Sequence, residues 1–194
     1  LDEEKAALEI MKQNLENLSM RIQDMTDLLA DIDTRINEIT LENVKDSDKA
    51  NLISILDTIN DLLSNKLENL TAVEITALEE NKAEIENLLA RIKEIVETLS
   101  TIESNANDIL GKNLKSSDIP ALKSNLAVIS DFLKNYDENL QDEERSALEG
   151  KKADIENRLT ELIKITETIT STDNLIQNIH SENLKKEDLL ILKQ

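Results

Sequence analysis

The chain has 194 residues, a formal net charge of −19, no Cys, no Trp, one Pro, two Gly, one Phe and one Tyr. So few rings exclude an ordinary globular core, so few turn formers exclude an all-β fold, and the missing Cys excludes disulfides and thiolate metal sites. The acidic balance argues against binding to nucleic acid or an anionic membrane surface, and no run of 18 apolar residues exists to span a bilayer.

The first stretch sets the pattern. Leu8, Met11, Leu15, Leu18, Ile22, Met25, Leu29, Ile32, Ile36 and Ile39 alternate in steps of three and four without a miss. That is the a/d seam of a long helix packed on other helices. The same stretch returns at an offset of 70 residues: Ala7-Leu8-Glu9 meets Ala77-Leu78-Glu79 and Ala147-Leu148-Glu149, and Asn43, Lys45 and Asp48 meet Asn113, Lys115 and Asp118, then Asn183, Lys185 and Asp188. The register needs no gaps, and 70 is a whole number of heptads, so the seam keeps its phase between copies. The chain therefore reads as tandem repeats, two full copies and most of a third.

Each copy predicts a long helix and a short one. The long helices run over about 1–40, 71–110 and 142–180. Thr71 and Glu74 form a capping box at the second start, and Gly111 sits where a helix C-terminus favours a left-handed residue. Ser100, Thr101, Ser104, Asn105, Asn107 and Asp108 are poor helix formers, so a break there is an alternative, although Leu99, Ile102, Ala106 and Ile109 carry the seam through. The short helices begin at Asp48, Asp118 and Asp188, each Asp able to cap free backbone N–H groups, with Pro120 in a first turn. Their stripes are Leu52, Leu56, Ile59 and Leu63, then Leu122, Leu126, Ile129 and Leu133 with Phe132, and they end near Lys66 and Tyr136.

The short helix is half the long one, so it can return along the second half of the long helix before the chain turns forward again. The first half of the next long helix then becomes the third member. This predicts an all-α chain: a half-helix over 1–19, three-helix bundles over 20–91 and 90–161, and a partial third repeat over 162–194. The layout resembles the spectrin repeat family, three-helix bundles joined by a shared helix, with a shorter repeat and without that family's Trp. The resemblance implies an elongated structural array.

Candidate chemistry is sparse. His180 is the only His, and its place near a helix end suits the helix dipole. Carboxylates cluster at Asp2-Glu3-Glu4, at Asp31 with Asp33, and at Asp142-Glu143-Glu144, but no stretch has the calcium-loop spacing. Polar residues Asn81, Lys151, Arg158 and Thr172 occupy seam positions, which suits a bundle edge or control of register. Asn17-Leu18-Ser19 and Asn69-Leu70-Thr71 match the glycosylation pattern, as chance matches in an Asn-rich chain do. Gly150 lies inside a long helix and weakens it.

No catalytic, cofactor-binding or metal residue is assigned, and an enzyme is not expected. The expected role is a spacer or stalk segment of a larger protein, on the surface of a Gram-positive bacterium. A helical protein-binding module and an intracellular spectrin-like scaffold are the alternatives. The start at Leu1 suggests a fragment or processed product. Expected partners are neighbouring repeats, an unidentified protein, and at most weak end-to-end association of monomers, without nucleic acid or membrane insertion.

Overall fold

The computed structural model describes residues 2–65 and 70–178. These form five α-helices, α1 (Asp2–Asn37), α2 (Lys49–Asn65), α3 (Ala72–Leu110), α4 (Ile119–Tyr136) and α5 (Asp142–Asn178), with no strand among the described residues. No helix searched is long and apolar enough to cross a membrane. The chain divides into two compact units, 1–95 and 96–194.

The core of the first unit is drawn from three helical segments. Ile32 and Ile36 of α1, Leu52, Ile55, Ile59 and Leu62 of α2, and Leu78, Ile85, Leu88 and Ile92 of α3 are all at most 2% exposed. Fully burying each such side chain contributes about 1.5–3 kcal/mol before the entropy of ordering is set against it. The buried stripe of α2 is 52, 55, 59 and 62, which corrects the expected 52, 56, 59 and 63: Leu56 and Leu63 are only partly buried and flank the core.

The turn from α1 to α2 is built by polar side chains acting on backbone. The Asn43 carboxamide accepts the Thr40 N–H at 2.7 Å and donates to the Glu38 carbonyl at 3.1 Å. Val44, fully buried, closes the end of the core. A short 3-10 turn, Asp46–Asp48, then leads into α2. Asp48 corrects the expected cap, because its carboxylate reaches back to accept the Lys45 N–H at 2.8 Å rather than forward into α2. The start of α3 is capped as its sequence predicts. The Glu74 carboxylate accepts both the Thr71 N–H at 2.7 Å and the Thr71 hydroxyl at 2.8 Å, and the Thr71 hydroxyl accepts the Glu74 N–H at 3.3 Å.

This box has a pH signature. The bonds from the Thr71 backbone and then its hydroxyl hold the Glu74 carboxyl below its ordinary value. A depressed folded pKa contributes stability above the unfolded value of 4.5, lost as pH falls through the lower folded value. Thr71→Ala is expected to cost about 0.5–2 kcal/mol near neutrality. Denaturant melts should show the cost shrinking below about pH 4.5; a deficit independent of pH would assign it to something other than the carboxylate.

The second unit repeats these devices. Ile102, Ala106 and Ile109 of α3, Leu122, Ile129 and Phe132 of α4, and Leu140, Leu148 and Ile155 are buried, and α4 packs along α5. Phe132 fills the position of Leu62, and its ring stacks on Tyr136 at 4.7 Å between centroids. Asp118 again reaches back, accepting the Lys115 N–H at 2.7 Å, and Pro120 stands in the first turn of α4. Gln141 and Glu144 form half of a second capping box, the carboxylate accepting the Gln141 N–H at 2.9 Å. Arg145 ties α4 to α5: its guanidinium donates to the Asp137 carboxylate and to the Asp137 carbonyl, both at 2.6 Å, and to Asp142 at 3.1 Å.

α3 is unbroken through residues 99–108. Leu99, Ile102 and Ala106 are at most 8% exposed, while Ser100, Thr101, Ser104, Asn105, Asn107 and Asp108 face solvent. The Thr101 hydroxyl turns back on the Glu97 carbonyl at 2.9 Å, so the helix keeps that polar group satisfied.

The glycines behave differently from their sequence reading in one case. Gly111 is not left-handed, since no glycine has positive φ; its N–H caps the helix end by donating to the Asn107 carbonyl at 2.9 Å. Gly150 lies inside α5, and a Cβ added there meets nothing within 4 Å. Gly150→Ala is therefore expected to raise stability by about 0.5–1 kcal/mol, read as a higher midpoint in urea with an unchanged slope. A loss of stability would contradict the open environment.

Candidate functional site

The carboxylate clusters dissolve into separate structural pairs. Asp31 meets Arg35 at 3.4 Å on its own helix, whereas Asp33 accepts from the Asn81 side chain of α3 at 2.7 Å. At the start of α5, Asp142 pairs with Arg145 and Glu144 caps the backbone. Asp2 and Glu3 lie in the first turn of α1. Among the described residues no group of three or more His, Cys, Asp or Glu is arranged to hold a metal ion. His180 and Asn69, with the expected short-helix start at Asp188, lie outside the described residues. Asn17 is exposed on α1.

The polar seam residues carry more information. Asn81 donates to Asp33 at 2.7 Å and Lys151 pairs with Glu103 at 3.4 Å, and both pairs span 48 residues. Asn81 and Lys151 stand 70 residues apart in the sequence, as do Asp33 and Glu103. Two different chemistries thus each join one long helix to the next. Arg158 is exposed, and the Thr172 hydroxyl bonds the Thr168 carbonyl at 2.9 Å.

Shallow grooves among the described residues include these two. One, of about 520 Å³, lies in the first unit between the α1–α2 turn and α3, lined by Leu41, Glu42, Glu80, Glu84 and Leu88. The other, of about 450 Å³, lies along α5 and is lined by Thr166, Thr170, Ser171, Asn174 and Leu175. Neither gathers a nucleophile, a base and an orienting partner.

The larger functional feature is two apolar helix faces. Leu8, Leu15, Leu18 and Ile22 of α1, with Met11, are 49–66% exposed, while Leu78, Ile85, Leu88 and Ile92 of α3, 70 positions after the four, are at most 2% exposed. Ile165, Ile169 and Ile176 of α5 are 53–56% exposed, while their counterparts Ile95, Leu99 and Ala106 of α3 are at most 8%. Single exposed apolar residues need no explanation, but contiguous rows mark interaction surfaces. Periodicity alone could not separate covered from uncovered rows, because the same three-and-four spacing runs through both.

Comparison of the chain with protein-family models, with curated proteins and with solved structures finds no match in any of the three.

Proposed function

We propose that the chain is a structural spacer: a segment of a larger protein built from tandem 70-residue helical repeats, in which each long helix serves two three-helix bundles in the manner of spectrin-type repeats. A bacterial surface protein is the setting we favour, with the array holding another domain away from its anchor. The observation that carries the reading is α3, one helix of 39 residues whose seam is buried along both halves. At about 1.5 Å per residue such a helix is roughly 58 Å long. A stiff spacer requires helical continuity of this kind. The matched pairs Asp33–Asn81 and Glu103–Lys151 support the tandem register.

Solution scattering at low concentration tests the reading. An extended array of two bundles with free half-helices should measure about 115 Å end to end. Its radius of gyration should exceed about 30 Å, against about 16 Å for a compact globule of this length. A value near the lower figure would remove the spacer reading. The second reading, a protein-binding module, is favoured by the exposed rows on α1 and α5, since repeat arrays also present binding faces along their length.

A further inference from the structure

We infer that the second half of α3 is a conditional helix, held by the packing of the second unit: when that unit opens, α3 shortens to its first half and the first unit stays folded. The division between the two units falls inside α3, after residue 95. Of the 24 residues of α3 before that point, 16 are Ala, Leu, Glu, Lys or Arg, the strong helix formers, and three are Ser, Thr, Asn or Asp. Of the 15 after it, five are strong formers and seven are Ser, Thr, Asn or Asp. Side chains of the latter kind bond nearby backbone in non-helical forms and so compete with the helix. Charge repeats the contrast. The first half carries Lys82, Arg91 and Lys93 among its glutamates, with Arg91 held to Glu94 at 3.1 Å. The second carries no Lys or Arg, so it makes no attractive pair within itself.

What fixes the second half is contact. Leu99, Ile102, Ala106 and Ile109 are at most 8% exposed, and Glu103 pairs with Lys151 of α5 at 3.4 Å. Isolated helices shorter than about 12–15 residues are marginal in water even when rich in alanine. Stripped of its contacts, a segment this poor in helix formers melts. The stretch ahead of it does not, because Leu78, Ile85, Leu88 and Ile92 share a core with α1 and α2. In a spacer, units built this way give one at a time.

α5 supplies a control within the chain. Residues 166–178 include eight Ser, Thr, Asn or Asp among 13, and Ile169, Leu175 and Ile176 are 47–56% exposed. This segment and the second half of α3 are both helical in the structure, one uncovered and the other covered.

Hydrogen exchange on the whole chain tests the inference. In the wild type, amides 98–110 are expected to be at least about tenfold better protected than amides 166–178; equal protection overturns it. Leu122→Asp with Ile129→Asp places two carboxylates in fully buried seats of α4 and opens the second unit. Protection at 98–110 should then fall at least about 100-fold, while amides 78–92 stay within about threefold of wild type. Retained protection at 98–110 overturns the inference, and so does an equal loss from 78 to 110, which makes α3 one cooperative helix. Adding Ser100→Ala, Ser104→Ala, Asn105→Ala and Asn107→Ala, all at exposed positions, should restore protection at 98–110 by about tenfold in the opened chain. An absence of recovery overturns the part given to helix propensity. The exchange pattern is independent of overall dimensions, so scattering judges the spacer reading separately.

Discussion

Glu94→Pro is expected to destabilise the chain by about 3 kcal/mol or more, lowering the melting temperature by about 6–12 °C. Position 94 lies well inside α3, between Ile92 and Ile95, which are 2% and 5% exposed. A proline there removes the N–H that would bond the carbonyl of Ala90, and its ring collides with that carbonyl. The side chain itself contributes little: Glu94 is more than half exposed and pairs with Arg91 at 3.1 Å on the same helix. Glu94→Ala is therefore the control, expected within about 0.5 kcal/mol of wild type. Circular dichroism gives the melting temperatures, and hydrogen exchange should show protection lost through residues on both sides of the substitution. An unchanged melting temperature would mean that α3 need not be continuous for the fold to hold.

Ile85→Ala and Ile155→Ala are expected to cost about 2–5 kcal/mol each, through lost burial and the cavity left behind. The two residues stand 70 positions apart in the sequence and are both fully buried. Because Ile85 belongs to the core that includes α2, its loss should lower hydrogen-exchange protection in α2 most. Because Ile155 lies in α5, which packs on α4, its loss should act most on α4. If both variants lower protection in the same helices, the two cores are not separate cooperative units.

The helices were legible because their cause is local and periodic. The seam from Leu78 to Ile109 told where α3 runs, and the Thr71–Glu74 box told where it starts. Propensity pointed the other way at Ser100 to Asp108, and burial of Leu99, Ile102 and Ala106 outweighed it. Less legible were features set by geometry between segments. Asp48 and Asp118 stand at the expected positions, but the 3-10 turn before each helix puts the nearest free N–H behind them, at Lys45 and Lys115. In α2 the stripe was misread by one position at two places because Ile55 and Leu56, like Leu62 and Leu63, are adjacent apolar residues, and only the neighbouring helices decide which pair turns inward. Gly111 looked like a left-handed cap because composition suggests one, yet a helical bond to Asn107 already satisfies that end. As for function, the seam pattern is identical in rows that are covered and rows that are not, so the sequence could not rank them as surfaces.

The replacement of Leu88 by Arg158 at one register position bears on how the chain assembles as it is made. Near-identical neighbours invite an emerging segment to seat itself in the wrong core, a common failure of repeat proteins during synthesis. If the start of α5 reached the seat that α3 occupies on α1 and α2, Arg158 would take the place of Leu88, which is 1% exposed beside the groove lined by Leu41. There the guanidinium would give up hydration against a covered apolar core, with the Glu42 carboxylate at the groove edge offsetting only part of that cost. In its own seat the turn ahead carries Gly111 and Lys112 where the first copy has Leu41 and Glu42, and Arg158 remains in water. One charged side chain thus disfavours the later segment in the earlier seat.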